Sequence, residues 1–369
     1  MTASYTGSYD ASVQDTRYRT PPRQARPLHR PSRQPRARRP ARWGRRLKVV
    51  ALIILVVAIA GLALLWQRAT AFNDAVSTQP SLSMRAFGPF SEERVNVLLL
   101  GYSDESREGA FLTDSMNMLS IDKATDTTTL IAIPRDMWVE GMAEIPQNMK
   151  INEAFRIGYY EDGLEAAAEL ASRAVTHVTG LPIHGWISLD FQGFEAMVDA
   201  IGGITVDNPT AFAYAWDEAS WLAGEFVGSY EAGVIRLNGE QALNYSRNRY
   251  TSVVEESSDF ARSVRQQRVL AAIRGEITGW MTLGHGLAIA TALEDHMHTN
   301  LPVVDLAILA GKLQADRRLA LDTQLVATTN TIGQYVLVVA RAAAPADYGP
   351  LQTYIAEELS AAPVGAPTE

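Results

Sequence analysis

Arg247, Arg249, Arg262, Arg265 and Gln266 fall within one stretch of twenty residues. A guanidinium keeps its charge and presents a rigid fork of donors that matches phosphate oxygens, so such a cluster predicts a binder of phosphate or pyrophosphate. Arg247 and Arg249 are two apart in YSRNR, which on an extended segment points both side chains the same way. Arg262 and Gln266 are four apart on a predicted helix and share a face, with Arg265 close beside and Asp259 near the helix start. Acidic partners at helical spacing are lacking between Arg262 and Arg268, which weakens the ordinary alternative of a charged solvent face.

Further groups could join this cluster. Arg135 and Asp136 follow IAIP, where Pro134 stops strand pairing and turns the chain outward. Taken alone, the pair is a surface salt bridge as readily as a phosphate grip. Lys150 in KIN is by itself an ordinary solvated base. Asp104 and Asp114 lie after the first predicted strand and before the next. Two such loop ends can converge on a hard cation such as magnesium, although loop aspartates more often form turns or caps.

Other chemistries are excluded or disfavoured. The chain has no cysteine, which removes disulfides, thiolate nucleophiles and zinc-cysteine sites. It also has no Walker loop, no HExxH and no GxSxG. His296 and His298 form an HMH pair near the end of a predicted helix, where i and i+2 point apart, so a surface or capping role is expected rather than zinc ligation.

The 369 residues are 47% hydrophobic, enough to fill a sizeable core. The 33 basic and 41 acidic residues, less the 13 basic and 2 acidic ones of residues 1–48, leave 20 against 39, a net charge near -19 beyond residue 48. An acidic domain does not attract nucleic acid by its overall field, so any anion must be held by a local cluster. Leu47 to Trp66, LKVVALIILVVAIAGLALLW, carries one charge, Lys48. It is the single transmembrane candidate, and the basic residues before it place the N-terminus in the cytoplasm and the main domain outside. A cleaved signal peptide ending at Ala69-Thr70-Ala71 is the competing reading, but the apolar run is longer than a usual signal core.

The elements that must position these residues follow from patterning. RVNVLLL (Arg94 to Leu100) predicts a buried strand, and Met116 to Ile121 with Thr128 to Ile133 an antiparallel hairpin around the turn Asp122 to Asp126. Helices are expected over Glu165 to Thr179, Phe191 to Ile201, Asn238 (as cap) to Tyr245 and Asp259 to Ile277, with strands over His184 to Leu189 and Ile204 to Val206. This interleaving predicts an α/β domain with a central mixed sheet flanked by helices. The Ala- and Pro-rich end from Ala342 predicts a flexible tail.

Seven segments in order, VNVLLLGYSDESR, LTDSMNMLSID, IAIPRDMWV, KINEAF, LDFQGFEAMVDAIGGITV, LNGEQALNYSRNR and DFARSVRQQ, resemble the LytR-CpsA-Psr (LCP) family of bacterial cell-envelope proteins. The resemblance runs from about Arg94 to Ile277. It implies an α-β-α layered domain preceded by one transmembrane helix, on the outer side of the bacterial cell membrane. It also implies a metal-dependent phosphotransferase that moves a glycopolymer from polyprenyl pyrophosphate to peptidoglycan or another wall acceptor, without nucleic acid as a partner. On this resemblance Asp104 and Asp114 hold Mg2+ (or Mn2+), and Arg107, Arg135, Lys150, Arg247, Arg249, Arg262, Arg265 and Gln266 bind the pyrophosphate. Arg135, Asp136 and Asp259 are then the catalytic candidates, with Asp136 and Asp259 ranked equally as base.

Two departures stand out. Two residues separate Asp104 from Gly101 where the family pattern brings the Asp closer, and Leu112 occupies the place of a usual arginine: either Arg107 takes that place from the loop, or the pyrophosphate grip is weaker and the protein is less active or handles a different substrate. A polyprenyl-pyrophosphate hydrolase and a non-enzymatic lipid-binding or regulatory protein are the alternatives. The apolar carrier would lie in a channel lined by the helix Glu165 to Thr179 with Phe191, Phe194 and Met197. The expected organisation is a basic tail (1–46), the transmembrane helix (47–66), a stalk (67–92), an LCP-like catalytic domain (93–280), a C-terminal extension of the core (281–341) and a flexible tail (342–369).

Overall fold

The computed structural model describes residues 42–80, 83–88, 92–103, 110–145, 147–279, 283–312, 315–330 and 333–361. In chain order the elements are α1 (Arg42–Val76), β1 (Arg94–Tyr102), β2 (Thr113–Asp122), β3 (Thr127–Ala132), β4 (Trp138–Val139), β5 (Met149–Lys150), α2 (Glu153–Thr179), β6 (Gly185–Asp190), α3 (Phe191–Ala200), β7 (Ile204–Asn208), β8 (Phe212–Tyr214), α4 (Glu218–Ala223), β9 (Gly228–Tyr230), β10 (Gly233–Leu237), α5 (Gly239–Arg247), α6 (Asp259–Gly279), α7 (Leu283–Leu293), β11 (Met297–Thr299), α8 (Val303–Lys312), β12 (Arg317–Ala320), β13 (Leu325–Thr329), β14 (Tyr335–Val339) and α9 (Gly349–Ser360). Residues 59–369 pack as one unit, while 42–58 form the N-terminal part of α1.

A six-stranded sheet in the order β11-β6-β1-β2-β3-β12 forms the centre. Strands β1, β2 and β3 are an antiparallel meander, β6 runs parallel to β1, and β12 runs parallel to β3. Because side chains alternate across a strand, the apolar run of β1 fills both faces. Leu98 and Leu100, with Met116, Met118, Ile131 and Trp186, share a buried cluster with the alanine-rich half of α2 and with α9. Val95 and Val97, with Leu119, Ile121 and Leu130, pack on the other face with Leu301 and Leu309, against Leu270 of α6 and Leu306 of α8. The architecture is thus a mixed sheet between helical layers, as the patterning and the resemblance imply. A third cluster joins α3, β7, β10, α5 and α6 through Val198, Ile204, Val206, Leu237, Ala242, Tyr245 and Val269.

Within α2 the backbone leaves helical geometry at Asp162 and Gly163, where Gly163 takes φ 76°. The two halves then meet at Gly158, where a Cβ would lie 2.5 Å from the Ala166 carbonyl oxygen. Only a glycine permits that approach.

Three expectations are corrected. First, α1 does not end at Trp66 with an irregular stalk. QRATAFNDAV has no glycine or proline to stop it, and the helix runs on to Val76. Its last turn is packed against the body, where buried Asn73 accepts from the Val303 amide at 3.0 Å and donates to the Gln79 carbonyl at 2.7 Å. Between them, Ile54–Val76 is long and apolar enough to cross a membrane, and Ile54, Leu55, Val56, Val57 and Ile59 are exposed. Second, residues 281–341 are integral to the domain, because β11 and β12 supply both edges of the central sheet. Third, residues 342–361 are not a loose tail. Leu351 and Ile355 lie four apart on α9 and are fully buried in the main core, a helical stripe that the alanine and proline content of the segment masks. Of the tails, residues 1–41 and 362–369 lie outside the described residues.

Candidate functional site

Asp114, near the start of β2, is the hub. Its Oδ1 accepts from Arg135 Nη1, and its Oδ2 accepts from Arg247 Nε at 3.2 Å and Nη2 at 3.1 Å. Burial alone would push this carboxyl up, but the guanidiniums of Arg135, Arg247 and Arg262 overcome it and hold Asp114 below the usual 3.8. Asp136 is a second, smaller hub. Lys150 Nζ donates to its Oδ1 at 2.7 Å, and Arg135 Nε lies 3.5 Å from its Oδ2. Burial opposes ionisation here too, and Lys150, Arg135 and Arg262 overcome it, so Asp136 also sits below the ordinary carboxylate value.

Local structure explains these placements. Pro134 ends the run that β3 begins, and a turn closed by the Met137 amide on the Pro134 carbonyl at 3.1 Å carries Arg135 and Asp136. Strand β5 pins that turn: Lys150 pairs with Trp138, and the Asn152 amide donates to the Arg135 carbonyl at 3.2 Å. Arg247 is the last residue of α5, a helix started by a reciprocal cap between Asn238 and Gln241. Its Cζ lies 3.9 Å above the Phe191 ring, which is itself buried at the start of α3. Gln266 on α6 reaches the Asp114 carbonyl at 3.4 Å and accepts from Ser115 at 3.4 Å, while Asn117 supports Ser115 at 2.9 Å.

The structure therefore brings Asp114, Arg135, Asp136, Lys150, Arg247, Arg262 and Gln266 together. Four cations, Arg135, Lys150, Arg247 and Arg262, face two carboxylates, Asp114 and Asp136, an excess of two positive charges in a strongly acidic domain. Such preorganised, partly desolvated guanidiniums suit a polyphosphate or a phosphoryl group gaining charge.

Several predicted site residues sit elsewhere. Arg265 is not part of the grip: it is fully buried, donating from Nε to the Tyr245 carbonyl at 2.9 Å, from Nη1 to the carbonyl and carboxylate of Glu256 at 2.7 and 2.8 Å, and from Nη2 to the Asn248 carbonyl. On α6 it lies one helical step away from the face shared by Arg262 and Gln266, and that step turns it into the core. Arg247 and Arg249 are not side by side on a strand, because α5 extends through Arg247. The Arg249 guanidinium lies 6.0 Å from the Tyr250 ring. Asp104 and Arg107 lie outside the described residues, as does the side chain of Asp259, which begins α6.

The predicted carrier channel is not formed by the residues named for it. The α2 alanines pack in the main core, Phe194 and Met197 pack with the third cluster, and Phe191 is the platform under Arg247. That platform, and the Ser115–Asn117 support, had no signal in residue spacing. The helical placement of HMH is corrected as well: Met297–Thr299 is a strand, and His296, in the turn before it, has Nδ1 2.9 Å from Asp190 Oδ2.

For a metal, the described residues contain no group of three or more acidic or histidine side chains. Asp114 spends three of its roughly four acceptor positions on guanidiniums. What remains fits a cation that takes most of its ligands from water and phosphate oxygens, as magnesium does.

Known proteins share this arrangement of elements and sequence. The chain is 26% identical to a polyisoprenyl-teichoic acid–peptidoglycan teichoic acid transferase TagU of Enterococcus faecalis, over 73% of this chain and 84% of that one. A protein of the same name from Oceanobacillus iheyensis is 29% identical over 73% of this chain and 80% of its own. A crystal structure of a Streptococcus agalactiae protein superposes with a TM-score of 0.56 at 25% identity, covering 74% of this chain and 90% of that one. The LytR_cpsA_psr family pattern matches residues 65–346, taking in the end of α1 and both edge strands of the sheet, and the chain belongs to that family.

Proposed function

We propose that this protein is a membrane-bound transferase that moves a glycopolymer from a polyprenyl pyrophosphate carrier to peptidoglycan or another wall acceptor. The observation that carries this is the net-cationic cluster around Asp114, assembled from β2, the Pro134 turn, α5 and α6. The relatives named above as teichoic acid transferases support the choice of substrate class.

In this mechanism the donor pyrophosphate exchanges places with Asp114 as the partner of Arg135 and Arg247, with Arg262 and Lys150 adding charge. The acceptor hydroxyl oxygen bonds to the sugar-linked phosphorus, and the bond from that phosphorus to the bridging oxygen breaks. The products are a glycan phosphodiester and polyprenyl phosphate, and the hydroxyl proton goes to a base. Asp136, held below the ordinary carboxylate value between Lys150 and Arg135, is poorly matched to taking a proton near neutral pH. Its role is to position Arg135, and the base we assign is Asp259. Asp114 and Asp104 would hold Mg2+ (or Mn2+), which when bound neutralises pyrophosphate charge. The exposed apolar length of α1 supports a position at a membrane, and the basic residues before it favour a cytoplasmic N-terminus.

The test is the full chain in detergent with a lipid-linked glycopolymer, magnesium and peptidoglycan. Polymer joined to the wall, lost on chelation, is the expected result. Free phosphate released equally well without acceptor would make it a hydrolase, and tight lipid binding without turnover would make it a binding protein.

A further inference from the structure

The segment from Pro209 to Ile235 contains Asp217, Glu218, Glu225 and Glu231 but no lysine, arginine or histidine. It builds a lobe of β8, α4 and β9 that projects large apolar side chains to solvent: Trp216 is 57% exposed, and Leu222, Phe226 and Val227 are also exposed. The lobe is firmly seated. Phe212 and Tyr230 at its base pack against Tyr245 with ring centroids 5.9 and 5.1 Å apart. The amides of Ala215 and Ser252 join it to the segment after Arg249 through 2.8 Å bonds to the Tyr250 and Ala213 carbonyls. Exposed side chains on so well-fixed a backbone are a built surface rather than a frayed loop.

This surface adjoins the segment that follows Arg247 of the phosphate site. Trp216 contacts the Tyr214 ring at 5.6 Å, Trp221 donates to the Thr251 carbonyl at 2.7 Å and lies 6.3 Å from the Tyr250 ring, and Tyr250 carries the Arg249 guanidinium. Arg249 is two residues from Arg247, which clasps Asp114. A ligand lying along these rings therefore reaches the chain segment that carries Arg247.

Charge selects the ligand. Four carboxylates in a segment with no basic residue repel a phosphate-rich polymer and an anionic bilayer alike. Aromatic faces next to carboxylates suit a neutral sugar chain, whose C–H faces stack on the rings while its hydroxyls donate to Asp or Glu. The geometry points to the β8–α4–β9 lobe as the docking surface for the acceptor, a neutral glycan strand whose hydroxyl is presented beside Arg249. This rests on the transferase function proposed above and assigns its second substrate a place.

The experiment titrates the full chain in detergent, wild type and Trp216→Ala, with three probes: neutral glycan strands (oligomers of β-1,4-linked N-acetylglucosamine), poly(glycerol phosphate) and a short-chain prenyl pyrophosphate. Wild type binds the glycan strands, and Trp216→Ala weakens that binding about tenfold, the scale of losing one stacked aromatic. Prenyl pyrophosphate affinity stays within about twofold, because Trp216 touches none of its partners. In the transfer assay the same variant raises the acceptor KM and leaves the donor KM in place. Unchanged glycan binding in the variant, no glycan binding by wild type, or loss of poly(glycerol phosphate) binding in its place would overturn the assignment. Failure of the transferase function itself reads differently: glycan strands and prenyl pyrophosphate both bind, Trp216→Ala still weakens the first alone, and no polymer is transferred.

Discussion

Replacing Asp136 by asparagine keeps its shape and removes its charge. The carboxylate is 8% exposed, 2.7 Å from Lys150 Nζ and 3.5 Å from Arg135 Nε. At an effective dielectric constant of about 20, a pair at that closer distance attracts by about 6 kcal/mol, of which desolvation of both ions cancels a large part. Removing one partner of such a buried pair leaves the other uncompensated, and the expected net loss is about 3 kcal/mol. For a domain of this size that is a fall of about 6–10 °C in Tm at pH 7. The pH dependence supplies the sharper test. Asp136 in the folded protein lies below the ordinary 3.8, so its stabilisation is complete above the unfolded value and is lost as pH falls through the folded one. The Tm difference between wild type and Asp136→Asn should hold from pH 7 to about 5 and narrow progressively below about pH 4. Thermal unfolding of the full chain in detergent, followed by circular dichroism across that range, measures it. A gap that is absent at pH 7, or that stays constant down to pH 2.5, would refute the argument that Asp136 is an ionised, charge-paired group.

The remaining predictions separate grip from scaffold. Arg247→Ala, which removes two donors from the site, should lower kcat by about 100-fold or more while changing Tm by only a few degrees, since the side chain is 29% exposed; steady-state kinetics and calorimetry on one preparation decide it. Arg265→Leu should do the reverse, costing about 3–5 kcal/mol of stability by stranding Glu256 and the Tyr245 and Asn248 carbonyls. The fraction that remains folded should bind prenyl pyrophosphate as wild type does. Leu351→Ala in α9 should destabilise the domain by about 2–5 kcal/mol, whereas a flexible tail would tolerate it; denaturant unfolding midpoints distinguish the two.

Residue types and chain order were enough to predict a cluster of guanidiniums, a mixed sheet between helices and one apolar helix before it. Guanidinium chemistry, period-2 and period-3.6 patterning and seven ordered motifs are all local properties, and local properties survive without coordinates. Only the tertiary structure decided which way each side chain turned. Arg262 and Arg265 carry the same group three residues apart on one helix, yet one joins the site and the other is locked beneath Tyr245 and Asn248. Likewise α9 looked loose by composition until Leu351 and Ile355 met the core, and HMH looked helical until the sheet edge claimed it. Asp114 and Arg247 are 133 positions apart, and no spacing rule connects them. Periodicity assigns a residue to a face, but which face meets the core, the cleft or water depends on partners that only the folded chain brings together.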